Sequence, residues 1–129
     1  MRPISVNDQY GHEVGDQLLQ EIAQRLLSAV RTTDTVARLG GDEFVLLLTA
    51  LQKPDEAEEV LLRAKASIEK PWKIPQGDFI GISASFGMAF HPQDGKLPAQ
   101  LLRLADEAMY EAKRQGKRDA GQSPWAFEI

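Results

Sequence analysis

Two short apolar runs flank a pair of glycines in Thr35-Val-Ala-Arg-Leu-Gly-Gly-Asp-Glu-Phe-Val-Leu-Leu-Leu48. This pattern predicts a β-hairpin, because glycine readily adopts the positive φ angles that a tight turn requires. The second run is continuously apolar, which predicts a strand covered on both faces. The turn also places two acids, Asp42 and Glu43, at the tip of the hairpin.

Helices are predicted on both sides of this hairpin. The first follows Asp16, a typical N-cap or first-turn acid, and has apolar residues at a spacing of four from Leu18 to Val30. The second opens at Pro54, since proline suits the first turn of a helix. The third is predicted over Leu97–Gln115.

A further strand is predicted over Phe79–Phe90, where large apolar residues alternate with small ones. The small positions, which include Gly81 and Gly87, indicate that a helix or a ligand packs closely against that face. The order helix, hairpin, helix, strand, helix predicts an α/β (α+β) fold with a mixed central β-sheet flanked by helices.

Composition limits the possible classes of protein. The 129 residues suit one domain, and 43% hydrophobic with 26% charged residues is typical of a soluble globular protein. No cysteine is present, which excludes disulfides, thiolate metal sites and thiol nucleophiles. A net charge of −4 argues against a nucleic-acid polymer as partner, although a nucleotide held by local cations remains compatible. The apolar runs are too short to span a membrane, so no membrane contact is expected.

Several segments carry residues suited to chemistry, and each also has a purely structural interpretation. Asp42 and Glu43 offer hard oxygen ligands for Mg²⁺, but a plain turn with solvated acids accounts for them as well. The segment Asn7–Asp16 combines an amide with carboxylates that could bind a base edge, or it is an ordinary capped loop. Lys113 and Lys117 share a helix face and could hold a triphosphate, or they are solvated cations.

The segment Arg31-Thr-Thr-Asp34 joins the first helix to the hairpin. Its arginine and aspartate could bind a guanine base and a phosphate. They could equally pair with each other, which is the commoner outcome at this spacing.

Taken together, five ordered blocks make the chain resemble the GGDEF domain family, the diguanylate cyclases. The blocks are Asn7-Asp-Gln-Tyr-Gly-His-Glu-Val-Gly-Asp16, Arg31-Thr-Thr-Asp34, Ala37-Arg-Leu-Gly-Gly-Asp-Glu-Phe44, Ala84-Ser-Phe-Gly-Met-Ala89, and Ala105-Asp-Glu-Ala-Met-Tyr-Glu-Ala-Lys113 with Gly116-Lys117. A single Gly-Gly-Asp-Glu-Phe would be weak evidence, whereas the five blocks span nearly all of residues 7–118. The resemblance implies a nucleotidyl-cyclase-like GGDEF fold over residues 1–120, with a tail or linker stub over 121–129.

The resemblance also implies an activity, the condensation of two GTP molecules into cyclic di-GMP with release of two pyrophosphates. Two subunits would face each other as a homodimer, each holding one GTP, and the reaction would take place in the cytoplasm. The implied cofactor is Mg²⁺ or Mn²⁺. The implied roles are guanine binding for Asn7 and Asp16, metal binding and catalysis for Asp42 and Glu43, phosphate accommodation for Gly40 and Gly41, and phosphate neutralisation for Lys113 and Lys117.

A second implied site is inhibitory. Arg31 and Asp34 occupy the positions of the family's Arg-x-x-Asp motif, where the product cyclic di-GMP binds, and Arg63 would supply a second arginine if a one-residue gap is allowed. The resemblance therefore implies product inhibition.

The front of the chain departs from the family pattern. The family begins with a central strand that ends in Asp-x-Asp-x-Phe-Lys, and no such segment precedes Asn7 here. We expect that this first strand is missing because the chain is a fragment of a larger protein; the other explanation is a degenerate member of the family. Weak or absent activity is expected because the first metal aspartate is missing. The alternative is a non-catalytic module that binds GTP or cyclic di-GMP and regulates a neighbouring domain.

Overall fold

The structure is a computed structural model that describes residues 9–119 and 126–128, with side chains described for residues 9–115. The described residues divide into two compact units. One unit comprises residues 9–83 with 126–128, and the other comprises residues 84–119. Helices and strands occur together as the sequence predicts, so the α+β fold class is confirmed.

The first unit begins with helix α1, His12–Ala29. Val14, Leu18, Ile22 and Leu26 are buried along one face at the predicted spacing of four. Asp16, however, lies inside the helix, and the N-cap is Gly11 with φ 93°. The prediction of Asp16 as an N-cap or first-turn acid was wrong, because the apolar stripe starts one turn earlier, at Val14, and the first-turn acid is Glu13.

The hairpin follows as predicted, with strands β1, Thr35–Gly40, and β2, Glu43–Leu47. The two strands are antiparallel, and the register shifts between Arg38 and Gly40, which is a bulge next to the turn. The prediction that the second strand is covered on both faces was wrong, since Leu47 is 59% exposed. Helix α1 faces one side of the hairpin across a groove, and no described strand pairs with the outer edge of β2.

Helix α2, Pro54–Ile68, lies beside α1, and the two helices are joined by what we call the arginine clamp, Arg25 and Arg63. The Arg25 Nη1 atom donates to the carbonyls of Ser67, Ile68 and Lys70 at 3.0, 2.8 and 2.7 Å. Arg63 donates from Nε and Nη2 to the carbonyl of Ala29 at 2.9 and 2.8 Å. Each arginine therefore satisfies carbonyls at the carboxyl end of the other helix, where backbone acceptors lack partners.

A second sheet completes this unit, with β3, Trp72–Lys73, antiparallel to β4, Phe79–Ser83, and β5, Ala126–Glu128, parallel to β4. Ile80 and Ile82 are buried on one side of β4. The predicted strand Phe79–Phe90 was too long. The ladder ends at Ser83 because the described partners are only two and three residues long. Strand β5 lies in the stretch for which the sequence predicts a tail.

The second unit contains an irregular segment, residues 84–90, and helix α3, Pro98–Asp119. Gly87 touches α3 so closely that a Cβ there would stand 2.0 Å from the Ala105 carbonyl oxygen and 2.3 Å from the Met109 nitrogen. The close packing predicted from the small residues is thereby confirmed at Gly87, where the partner is a helix. The helix runs past Gln115, the predicted end. Within the described residues, no helix is both long and apolar enough to cross a membrane.

Candidate functional site

The hairpin tip carries the acids that the sequence singles out. Gly40 has φ 154° and Gly41 has φ 51°, and a Cβ at either position would meet no atom within 4 Å. The glycines are therefore required by backbone conformation, and the space beside them is open. Asp42 and Glu43 are exposed at the turn, with carboxylates free to reach a ligand.

Arg38 connects the strand to this turn. Its Nε donates to the carbonyl oxygen of Gly41 at 2.7 Å, across the bulge that separates Arg38 from Gly40. The side chain is exposed, and it pairs in register with Phe44 on β2. Arg38 belongs to one of the family blocks, but the sequence pattern assigned it no role. The sequence feature that could have indicated a role for Arg38 is its position three residues before the second glycine of the turn.

A groove of about 500 Å³ lies between α1 and the hairpin. Exposed Asp16 stands at this groove together with Arg38. The other lining residues are Leu19, Gln20, Ala23, Leu27, Val36 and Phe44. The groove thus combines an apolar lining with a carboxylate and a guanidinium, and its volume is in the usual range for small-molecule sites, about 300–1,000 Å³.

The Arg31–Asp34 cluster lies at the junction of α1 and β1. Arg31 donates to Asp34 from Nε and Nη2, each at 3.2 Å, and the backbone N–H groups of Arg31 and Thr49 add bonds of 2.9 and 3.1 Å. The Asp34 side chain is fully buried, whereas that of Arg31 is 46% exposed. Arg31 also donates to the Thr49 carbonyl.

These contacts change the electrostatics of the pair. The hydrogen bonds from the Arg31 side chain, helped by the two backbone N–H groups, lower the pKa of Asp34 from 3.8 to about 2. The same contact with Asp34 raises the pKa of Arg31. The structure therefore supports the pairing interpretation of this segment, while the Arg31 side chain remains about half exposed.

Arg63 reaches the same end of α1. Its guanidinium is bound to the carbonyl of Ala29, two residues before Arg31 in the sequence. Arg63 from α2 and Arg31 from the loop after α1 are thus both bound near the carboxyl end of α1, Arg31 to a carboxylate and Arg63 to a backbone carbonyl.

The remaining predicted residues are distributed as follows. Lys113 is half-buried on α3, in the second unit. Lys117 lies on the same helix, but its side chain falls outside those described, and Asn7 lies outside the described residues altogether. Within residues 9–115, no three acidic or histidine side chains converge on a potential metal position.

The fold and the site define a class, namely an α+β domain in which a glycine turn bearing two acids stands next to a groove of about 500 Å³. Comparison with known proteins assigns the family. The family model described as "Diguanylate cyclase, GGDEF domain" matches residues 5–119, and the chain belongs to this family.

Individual relatives agree with this assignment. Over 113 residues the chain is 47% identical to the bifunctional diguanylate cyclase/cyclic di-GMP phosphodiesterase MucR of Pseudomonas aeruginosa, covering 88% of this chain and 16% of MucR. It is 41% identical over 112 residues to the diguanylate cyclase TpbB of the same species, covering 87% of this chain and 26% of TpbB. The chain therefore spans about a quarter or less of the length of these relatives.

A solved structure gives the same result for the fold. The crystal structure of the GGDEF domain of TpbB from Pseudomonas aeruginosa matches with a TM-score of 0.81 at 40% identity. The match covers 85% of this chain and 68% of that one.

Proposed function

We propose that this domain carries out the diguanylate cyclase reaction, in which two GTP molecules yield cyclic di-GMP and two pyrophosphates. The observation that carries the proposal is the arrangement in the first unit. An open glycine turn presents two carboxylates, and the same hairpin lines a groove with Asp16 on its opposite wall. The relatives named diguanylate cyclases support the proposal.

The groove is the proposed guanine site. An exposed carboxylate accepts hydrogen bonds from guanine N–H groups, and Asp16 is the described carboxylate that lines the groove. The apolar lining, with Phe44 and Leu27, would cover the faces of the base. Asn7 is proposed as the second guanine contact, from its place in the family block.

Asp42 and Glu43 are the proposed metal ligands, with Asp42 also able to accept the proton of the attacking hydroxyl. Mg²⁺ commonly uses one or two carboxylates and completes its coordination with water and substrate phosphates, so two exposed acids on an open turn fit Mg²⁺ or Mn²⁺. When bound, the metal would neutralise charge on the transferred phosphoryl group.

Phosphate contacts are proposed for the glycine turn and, separately and from their place in the family block, for two lysines of α3. Gly40 and Gly41 leave open space in which a phosphate can approach the backbone, because neither carries a side chain. Lys113 and Lys117 are proposed to neutralise the terminal phosphates as point charges. Positioning and charge neutralisation are most of what phosphoryl transfer requires from a protein.

The reaction requires two domains. The 3′-oxygen of one GTP would attack the α-phosphorus of the other, so that a new O–P bond forms and the bond to the β-phosphate oxygen breaks. Pyrophosphate leaves, and the hydroxyl proton passes to a carboxylate such as Asp42. A second, identical step closes the ring, and for this reason a homodimer with two facing grooves is proposed.

The test is incubation of the chain with GTP and Mg²⁺ or Mn²⁺, followed by chromatography of the nucleotides. We expect slow formation of cyclic di-GMP, since the chain has Asp42 and Glu43 but no Asp-x-Asp-x-Phe-Lys segment. Asp42→Asn should abolish it, and Asp78→Asn, at an exposed aspartate on the loop before β4, is the matched control. Rapid conversion would contradict the expected weak activity, and conversion undiminished in Asp42→Asn would contradict the proposed role of the turn.

A second candidate function is a regulatory module that binds nucleotide without turnover. The two arginines near the carboxyl end of α1 favour a site for cyclic di-GMP at Arg31 and Arg63, with buried Asp34 holding Arg31, because guanidinium groups bind phosphates and guanine edges well. Calorimetry with GTP and cyclic di-GMP separates the candidates. Binding of either nucleotide without any product formation would favour the module.

A further inference from the structure

We propose that Arg38 is a positioning residue that holds the hairpin tip in the conformation that presents Asp42 and Glu43. This inference rests on the proposed function for its catalytic meaning, but the contact itself is a feature of the fold. Arg38 Nε donates to the Gly41 carbonyl oxygen at 2.7 Å, and Gly41 immediately precedes the two acids.

The tip has few other restraints. Beyond the bulge, Gly40 and Glu43 are the only described pair of the ladder. The two glycines have positive φ angles, and the space where their side chains would stand contains no atom within 4 Å. Glycines lose more conformational freedom on ordering than other residues, so a tip of this kind needs an external contact to keep one conformation.

Arg38 supplies that contact from the rigid part of the strand. It pairs with Phe44 in the regular ladder, so its backbone is fixed, and its side chain reaches forward over the bulge to the turn. A hydrogen bond to the Gly41 carbonyl fixes the plane of the peptide between Gly41 and Asp42. That plane contains the nitrogen and Cα atoms of Asp42, so it restricts the position from which the first of the two acidic side chains leaves the backbone.

The position of the carboxylates matters because metal ligands act only when they are held in a defined geometry. Residues that orient ligands without touching the metal typically change metal affinity or activity about 10–100-fold when they are lost. Arg38 would act in this way, through the Gly41 carbonyl and not through the substrate.

Two substitutions separate the hydrogen bond from the charge. In Arg38→Gln, the amide nitrogen stands the same number of bonds from the Cα atom as the arginine Nε, so a donor to Gly41 is kept while the charge is lost. In Arg38→Met, the side chain is about as long as that of glutamine but offers neither a hydrogen-bond donor nor a positive charge. Arg103→Gln, an exposed arginine on α3, controls for the loss of one positive charge.

The first measurement is amide hydrogen exchange in residues 40–43. Exchange should rise about threefold to tenfold in Arg38→Met, the range expected for one lost hydrogen bond, and change less than about twofold in Arg38→Gln and Arg103→Gln. Equal exchange in Arg38→Met and the parent chain would overturn the proposal.

The second measurement is binding of Mn²⁺ alone, followed by its electron paramagnetic resonance signal. Affinity should fall about tenfold or more in Arg38→Met and less than about threefold in Arg38→Gln. An equal loss in both variants would show that the charge acts directly, and it would overturn the positioning role. Absence of Mn²⁺ binding in every protein would contradict the proposed metal site, while the exchange experiment would still decide whether Arg38 holds the turn.

Discussion

Substitution of Gly87 by alanine tests the packing of α3 against the segment that precedes it. An added Cβ would stand 2.0 Å from the Ala105 oxygen and 2.3 Å from the Met109 nitrogen, which are the acceptor and donor of one α-helical hydrogen bond. Ordinary contact begins near 3.4 Å. The helix backbone would therefore have to withdraw by more than about 1 Å, because no flexible side chain can move aside.

The expected loss in the free energy of unfolding follows from overpacking. Extra methylenes in well-packed sites cost about 1–3 kcal/mol, and contact with backbone places Gly87→Ala at the upper end of that range. For a chain of this length, such a loss lowers Tm by roughly 4–12 °C. Lys113 lies one turn beyond Met109 on the same helix face, so we also expect weaker GTP binding.

The assays are urea unfolding and thermal melting followed by circular dichroism, with GTP affinity from calorimetry. The sign of the stability change is decisive. Gly87 does not lie in the left-handed φ region, so without a clash alanine would stabilise the chain by about 0.4–1 kcal/mol through the unfolded state. A stabilised Gly87→Ala variant would therefore refute the packing argument.

Two further predictions concern the Arg31–Asp34 cluster. Because the pKa of Asp34 is lowered to about 2, its ionised form contributes stability that is fully present above about pH 4 and is lost as the pH falls towards 2. Urea unfolding should show that, between about pH 6 and pH 2.5, the free energy of unfolding falls more steeply in the parent chain than in Asp34→Asn. Equal falls in the two proteins would contradict the ion pair. Arg31→Ala should weaken cyclic di-GMP binding about tenfold or more while leaving GTP affinity unchanged, since Arg31 contacts Thr49 at the open end of the hairpin and the acidic tip lies at the opposite end of the ladder. Calorimetry that finds unchanged product affinity would rule out the proposed inhibitory site.

The hairpin could be predicted because its signals are local. Two glycines between apolar runs specify a turn whatever surrounds it, and the positive φ angles of Gly40 and Gly41 agree with this expectation. The close approach at Gly87 was also foreseeable, since a row of small residues along an extended segment leaves room for a neighbouring backbone.

Other features depend on contacts between residues distant in the sequence. The end of β4 at Ser83 is determined by the lengths of its partners, which no pattern within residues 79–90 contains. The sequence alone does not decide whether Arg31 binds Asp34 or a ligand. The burial of Asp34 depends on Thr49, a residue that follows the hairpin and is distant from Asp34 in the sequence. The role of Arg38 was missed because its partner is a carbonyl, and backbone acceptors carry no residue signature.

The arginine clamp has a consequence for how the first unit folds. Helix α1 has no basic residue in its last turn, and its terminal carbonyl at Ala29 is bound by Arg63 from α2. The carboxyl end of α2 in turn depends on Arg25 from α1. Each helix end therefore relies in part on an arginine of the other helix, so the two should form in one cooperative step, and the losses caused by substituting both arginines should not be additive.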